Sequence, residues 1–191
     1  MRIILTFLLL TLKIHLSICC ECPSTNEESV KRTFEKAEII VIGHAVRNMN
    51  YNVEVRKSWD NRSQGFDFLF KVDSVLKGDT TIKEIIVTQL LSDGCSRRFD
   101  FGEPMILSGT SITKFVNRTP KRPKLNEGEI PPTETPPPPP GYASGPTLFL
   151  YNSKQEEADY WNELAKNNTV ISSSLCTSYY VNSEAGAYFL K

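Results

Sequence analysis

The cysteines are the residues of this chain whose type and spacing could do chemistry. Three of the five stand in the stretch Cys19-Cys20-Glu21-Cys22, and the other two are Cys95 and Cys176. Because alternate residues of an extended segment point the same way, Cys20 and Cys22 can each reach a different distant cysteine. Four cysteines could form two disulfides in any of three pairings, or a zinc site. Their spacing is unlike that of a zinc finger or ribbon, so we favour disulfides and expect no metal.

No catalytic motif accompanies the cysteines. Once an apolar leader is removed from the start of the chain, His44 is the one histidine left, and a lone histidine in a strand is usually a packing or surface residue. The chain has no H-E-x-x-H metalloprotease motif, no G-x-S-x-G nucleophile turn and no phosphate-binding loop. The sequence therefore predicts a protein that is not an enzyme and uses no cofactor.

Residues 1–19 are predicted to be a secretory signal peptide. Arg2 provides the positive start, and an apolar run too short for a membrane span follows it. Cleavage after Cys19 places two small residues, Ser17 and Cys19, at positions −3 and −1 of the cut. The mature chain would then begin at Cys20 and keep four cysteines, an even number. We predict a secreted or cell-surface protein without a transmembrane span, in a compartment that permits disulfides. The alternative is a lipoprotein, cut before Cys19 and anchored through that thiol.

The charge of the chain gives no reason to expect a nucleic acid partner. The whole chain has 22 basic and 22 acidic residues, and loss of Arg2 and Lys13 with the leader leaves 20 basic against 22 acidic residues. This near-neutral balance offers no electrostatic attraction to nucleic acid or to a membrane surface. The partner that we expect is a protein.

The hydrophobic pattern predicts a mainly β protein with one early and one late helix. We predict a closed barrel of the OB type with five to six strands, stapled by disulfides. The predicted helices run from a cap at Ser24 or Thr25 to Lys36 and over residues 154–166, the second with a Ser153–Glu156 capping box. The apolar residues of the second helix, Ala158, Trp161, Leu164 and Ala165, share one side. The predicted strands are Ile39–Val46, Tyr51–Trp59, Phe66–Leu76, Ile82–Leu90, Pro104–Leu107, Thr147–Tyr151 and Val170–Cys176. Ile39–Val46 looks buried on both faces, while the strand from Phe66 alternates apolar residues with residues such as Asp67, which indicates one buried face. The pattern assigns no element to the tail over residues 179–191.

A proline-rich segment interrupts this pattern at about residues 118–146. Ten of the twelve prolines stand here, five of them in the run Pro136 to Pro140. Proline donates no backbone hydrogen bond and such a run favours polyproline II, while apolar periodicity is missing. We predict a disordered insert within a single domain of residues 20–191. The alternative is a ligand for a proline-binding groove.

Several short stretches, taken in their order along the chain, resemble one known family. They are Cys20-Glu21-Cys22, the run Ala37–Gly43, the run Phe70–Gly78, Ile86-Val87-Thr88, Gly94-Cys95, Phe101-Gly102-Glu103 before an apolar strand, and Ser174-Leu175-Cys176-Thr177. Together they resemble the N-terminal domain of the tissue inhibitors of metalloproteinases, a netrin-like family, and above all its uncharacterised bacterial-type members. The resemblance covers most of the mature chain apart from the proline-rich insert, the helix after it and the tail.

The resemblance implies a fold, a disulfide pattern and an activity. The fold is an OB barrel, and the implied disulfides are Cys20–Cys95 and Cys22–Cys176. In the family's inhibitors, the first cysteine binds the protease's catalytic zinc through its α-amine and carbonyl oxygen, which would make Cys20, Glu21 and Cys22 the inhibitory edge. A catalytic zinc keeps one coordination position open for such a ligand.

Glu21 decides between two functions. The family's inhibitors carry Ser or Thr at this position, and a carboxylate is costly to bury in an apolar specificity pocket. We therefore expect a secreted, non-enzymatic protein-binding module whose partner the sequence does not name. The alternative is a metalloproteinase inhibitor that acts through Cys20 on a zinc metalloproteinase.

Three sequons could carry N-linked glycans in a secreted protein. They begin at Asn61, Asn117 and Asn167. Such triplets also arise by chance, so the sequence marks these three asparagines as candidates for modification and does not choose among them.

Overall fold

The computed structural model describes residue 22 and residues 26–90, 96–118, 142–151 and 153–191. The helices are α1 (Glu27–Lys36), α2 (Val53–Asp60), α3 (Gln155–Asn167) and α4 (Glu184–Phe189), with a 3-10 turn at Leu175–Thr177. The strands are β1 (Ile39–Asn48), β2 (Gln64–Gly65), β3 (Phe68–Lys77), β4 (Glu84–Thr88), β5 (Phe99–Asp100), β6 (Pro104–Ser111), β7 (Lys114–Asn117), β8 (Tyr142–Ser144), β9 (Thr147–Leu150), β10 (Val170–Ser172) and β11 (Ser178–Tyr180).

Five of these strands close a barrel. Their order is β1-β3-β4-β10-β6, and β6 pairs with β1 again to complete the ring. The β4–β10 pair is parallel, and the other pairs of the ring are antiparallel. The predicted fold class is confirmed: the protein is mainly β and has a closed five-stranded barrel of OB-like form.

Both faces of β1 are covered, as its continuous apolar run predicts. Val41 points into the barrel with Phe70, Ile85 and Leu107. Its neighbour Ile40 points outward and packs with residues of the two terminal helices and with β6. On another side of the barrel, α3 and the β7–β9 sheet pack against outward-facing residues of β3, β4 and β10.

The predicted strand over Tyr51–Trp59 is wrong, because this segment forms helix α2. The side chain of Asn52 accepts hydrogen bonds from the backbone N–H groups of Glu54 and Val55 and so caps the helix. The alternation of Tyr51, Val53 and Val55 had indicated a strand. The capped helix overrides that local alternation.

Helix α3 confirms the second predicted helix but not its capping box. The helix begins at Gln155, and its N-cap is Lys154, whose side chain makes no capping hydrogen bond. Ala158 and Trp161 are fully buried, as the predicted apolar face requires. The start of α1 also differs from the prediction, since Asn26 is its N-cap rather than Ser24 or Thr25.

Ordered structure returns earlier than predicted after the proline-rich segment. Residues 119–141 lie outside the described residues, so the predicted disorder of the insert stays a prediction. Strand β8 already pairs with β9 at Tyr142–Ser144, whereas the sequence placed the return at Thr147. The unplaced tail forms β11, which extends the sheet beside β6, and α4, which packs near α1.

Candidate protein-binding edge

A disulfide joins Cys22, which precedes α1, to Cys176, which follows β10. Cys22 and Cys176 form a disulfide with a sulfur–sulfur distance of 2.11 Å and Cα atoms 5.1 Å apart. This is one of the two pairings that the family resemblance implies. Cys20, Glu21 and Cys95 lie outside the described residues, as does Cys19, so the Cys20–Cys95 bond and the fate of Cys19 stay predictions.

The 3-10 turn after β10 holds Cys176 in place through hydroxyl side chains. Ser174 Oγ accepts the N–H of Cys176 at 3.2 Å, and Thr177 Oγ1 accepts the N–H of Ser174 at 2.8 Å. Ser108 of β6 donates its hydroxyl to the Thr177 carbonyl at 3.1 Å, and Tyr179 donates to the Cys176 carbonyl at 2.6 Å. These short hydrogen bonds therefore hold the backbone of Cys176 against the barrel.

The helix that follows Cys22 in the chain, α1, is anchored at its own beginning. Asn26 accepts the N–H of Ser29 at 2.8 Å, while the Ser29 hydroxyl accepts the N–H of Asn26 at 3.1 Å, which is a reciprocal capping box. Val30 then packs into the cluster that contains Ile106 and Phe189. Only Pro23, Ser24 and Thr25 separate Cys22 from this anchored helix.

An open cleft of about 590 Å³ lies between α1, β6, β10 and the turn that carries Cys176. Lys36 is its one lysine, and an added Cβ at Gly109 would collide with the Ser172 carbonyl oxygen, so the close approach of β6 and β10 requires glycine there. Hydroxyl side chains dominate its lining: Thr33, Ser108, Thr110, Ser172, Ser173 and Thr177. Ser174 and Thr177, which flank Cys176, line the cleft, so its hydroxyl groups lie beside the disulfide.

No protein-family model, curated protein or solved structure matches the chain. In the described part of the chain, no helix is long and apolar enough to cross a membrane.

His44 lies on the barrel surface. Its Nδ1 is 3.3 Å from a carboxylate oxygen of Asp73 on the neighbouring strand β3. Within the described ranges, no group of three or more His, Cys, Asp or Glu residues could hold a metal ion. The structure thus gives His44 one carboxylate neighbour at the surface.

The three glycosylation candidates differ in their surroundings. Asn61 is exposed in the turn after α2, and Asn167 is exposed at the last position of α3. Asn117 is half-buried in β7, and its Nδ2 donates a hydrogen bond to the Ser153 carbonyl at 3.1 Å. The nitrogen that would carry a glycan is therefore already engaged at Asn117.

Sequence reasoning missed a buried carboxyl group at Asp67, which is only 5% exposed. One carboxylate oxygen accepts the N–H of Gln89 at 3.0 Å and the hydroxyl of Thr88 at 3.3 Å. The other accepts from the Asn50 amide at 3.3 Å. Burial raises the pKa of Asp67, and these hydrogen bonds only partly oppose the rise. Asp67 joins the segments that follow β1 and β4 to the start of β3.

A second acid on α3 interacts with this buried group. Glu157 is half-buried in the first turn of the helix, and burial together with the nearby charge of Asp67 raises its pKa. Tyr160, one turn of α3 later, donates its hydroxyl to the Met49 carbonyl at 2.9 Å. The loop after β1, the start of β3 and α3 therefore meet in one polar junction, which only long-range packing could reveal.

Proposed function

We propose that the protein is a secreted, non-enzymatic protein-binding module of the fold found in tissue inhibitors of metalloproteinases. The observation that carries the proposal is the Cys22–Cys176 disulfide, which holds the N-terminal segment against a closed barrel. A segment fixed in this way loses little conformational freedom when a partner binds it. The adjoining hydroxyl-lined cleft supplies polar groups for the same partner.

The binding proposal is tested with the disulfide-intact secreted protein. Labelled protein should bind extracellular proteins of the organism that makes it in a saturable way, and unlabelled protein should compete. Because the disulfide fixes the edge, the paired Cys22→Ser/Cys176→Ser variant should bind more weakly even at a temperature where its barrel remains folded. Binding that never saturates, or turnover of a substrate by the protein, would contradict the proposal.

One observation favours inhibition of a metalloproteinase as the second candidate. The Cys22–Cys176 bond is one of the two pairings that the resemblance to the inhibitors implies. If the mature chain begins at Cys20, its α-amine has an ordinary pKa of about 7.7–8.0, so part of it is uncharged at neutral pH and can bind zinc. Glu21 would then face the protease's specificity pocket.

The inhibition candidate predicts the behaviour of three forms of the protein. The natural form should inhibit ordinary zinc endopeptidases weakly or not at all, because an apolar pocket disfavours the Glu21 carboxylate. Glu21→Thr should inhibit more strongly, and an alanine added before Cys20 should abolish inhibition because it displaces the chelating amine. Inhibition constants for the three forms check this. Inhibition that survives the added alanine would rule out chelation by Cys20.

A further inference from the structure

The surface around Trp59 places two arginines on one aromatic ring. Trp59 lies in the last turn of α2 and is half-buried. The guanidinium carbons of Arg62 and Arg98 lie 5.3 Å and 5.7 Å from the centre of its ring, within cation–π distance. Phe66 packs edge-on against the same indole, with ring centres 5.5 Å apart. These four residues are called the Trp59 patch.

The backbone under the Trp59 patch is tied to the barrel. Asp60 accepts the N–H of Asn48, the last residue of β1, at 2.8 Å. The Gln64 amide donates to the Asp100 carboxylate at 2.6 Å and links β2 with β5. The ring and both guanidinium groups are therefore presented by anchored backbone, which reduces the ordering cost of binding.

The guanidinium groups of Arg62 and Arg98 are accessible to a partner. Arg62 and Arg98 are exposed, and among the described residues neither takes part in a salt bridge. Asp60 and Asp100, the nearest acids along the chain, keep their charge but accept hydrogen bonds from Asn48 and Gln64, and within the described residues they form no salt bridge with these arginines. The two guanidinium groups can therefore each bind a carboxylate of a partner through paired N–H donors, a geometry to which guanidinium is well suited.

Apolar side chains lie beside these charges. Helix α2 buries none of its residues, and Val53 and Val55 are 48% and 37% exposed. Val55 precedes Trp59 by four positions, so the two side chains share one face of the helix. The surface thus combines exposed apolar side chains with two cations.

We propose that the Trp59 patch binds an acidic segment of the protein partner, a step that rests on the proposed protein-binding function. Carboxylates of that segment pair with Arg62 and Arg98, and an apolar side chain between them packs on Trp59 and Val55. Tryptophan and arginine are the residues that most often dominate the binding energy of protein interfaces. None of the patch residues belongs to the Cys20–Cys22 edge, so the two surfaces can be tested separately.

The test uses the indole N–H signals of the intact protein in solution. The chain has two tryptophans, and Trp161 is fully buried, so it serves as an internal reference. A soluble peptide of glutamate with interspersed leucine should shift the Trp59 signal in a saturable way and leave the Trp161 signal in place. The same peptide with glutamine in place of glutamate should bind much more weakly, and added salt should weaken binding of the acidic peptide.

Variants assign the effect to the patch. Arg62→Glu/Arg98→Glu should lower the affinity for the acidic peptide by about tenfold or more, which corresponds to about 1.4 kcal/mol. Lys71→Glu/Lys83→Glu makes the same change in net charge at exposed positions elsewhere and should bind as the natural protein does. Equal losses in both variants would overturn the proposal, because net charge alone would then explain binding. The milder Arg62→Gln/Arg98→Gln variant should show an intermediate loss.

Two further outcomes would overturn the patch proposal. One is a Trp59 signal that neither peptide shifts. The other is tighter binding of heparin than of the acidic peptide, which would assign the surface to a sulfated glycan. The proposed function has its own readout: if the Arg62→Glu/Arg98→Glu variant still binds the extracellular partner with natural affinity, the module binds proteins but not through this patch.

Discussion

Asp67 shows how one residue can oppose the stability of its own fold. Its carboxyl group is almost completely withdrawn from water, and its ionised form has to be held by three hydrogen-bond donors. Burial raises its pKa above the ordinary 3.8, so the native state binds this proton more tightly than the unfolded state does. The half-buried Glu157 adds a like charge nearby.

The sign of the resulting pH dependence can be tested. The contribution of Asp67 to the unfolding free energy is largest below pH 3.8 and is lost as the pH rises through the raised native pKa. Asp67→Asn should therefore reduce the fall in stability across this window, measured by urea unfolding at a series of pH values. Asp79→Asn is the matched control. Hydrogen bonds from Thr81 lower the pKa of the exposed Asp79, so its contribution to stability changes with pH in the opposite direction to that of Asp67. A D67N profile parallel to that of the natural protein would contradict the expectation.

The asparagine candidates give a second prediction for single residues. In a host that glycosylates secreted proteins, the folded product should carry glycans at Asn61 and Asn167 and none at Asn117. The half-buried Asn117 amide already donates to the Ser153 carbonyl, and a glycan on that nitrogen would crowd this contact. Mass spectrometry of glycopeptides checks the three sites, with Asn→Gln substitutions as controls. A glycan on Asn117 in the folded protein would show that the bond is dispensable.

Among the elements, α1 depends on a residue from the barrel to end correctly. Lys77, the last residue of β3, donates its ammonium group to the carbonyls of Phe34 and Glu35 at 2.6 Å and 3.1 Å. These carbonyls lie at the end of a helix, where the backbone has no partner of its own and cations are favoured. The ammonium group also lies 5.6 Å from the centre of the Phe34 ring. Lys77 thus joins the helix that follows Cys22 to the barrel.

Removal of this contact should be measurable. Lys77→Met keeps most of the length and packing of the side chain but lacks the donor, and it should lower the unfolding free energy by about 1 kcal/mol. Urea unfolding at neutral pH measures the loss. Lys83→Met is a control at an exposed lysine on the same barrel and should change stability by a few tenths of a kcal/mol at most. Equal effects of the two substitutions would show that the cap adds nothing.

The sequence predicted those elements whose signal is local and missed those that depend on distant packing. The β-branched run of β1 predicted its strand, and the spacing of Ala158 and Trp161 predicted the buried face of α3. Asp67 follows Phe66 in an alternating pattern and so looked solvent-facing. In the fold, Asp67 is surrounded by the segment after β1, the segment after β4 and helix α3. These three parts of the chain come together only through contacts between residues that are far apart in sequence.

At the scale of the whole molecule, one covalent bond joins the two ends of the barrel sequence. The residues of the Cys22–Cys176 disulfide are 154 positions apart, so the bond removes much of the freedom of the unfolded chain. The sequence allowed three pairings of four cysteines, because pairing depends on where the closed barrel brings the strand ends. Residues 119–141, most of the proline-rich segment, stand between β7 and β8 in the chain and therefore within the stretch that this disulfide closes.

The position of that segment predicts how the molecule tolerates its loss. Replacement of residues 120–141 by a short Gly/Ser linker should change the unfolding free energy by less than about 1 kcal/mol, because loop closure depends only logarithmically on length. A deletion that continues through Gly145 should cost more, since it also removes β8, the antiparallel partner of β9, whose Leu148 is fully buried. Urea unfolding of the two deletions measures the difference, and limited proteolysis of the natural protein should cut first between Arg118 and Lys124. A large loss already in the shorter deletion would mean that the proline-rich segment packs against the barrel and is not the disordered insert that its composition predicts.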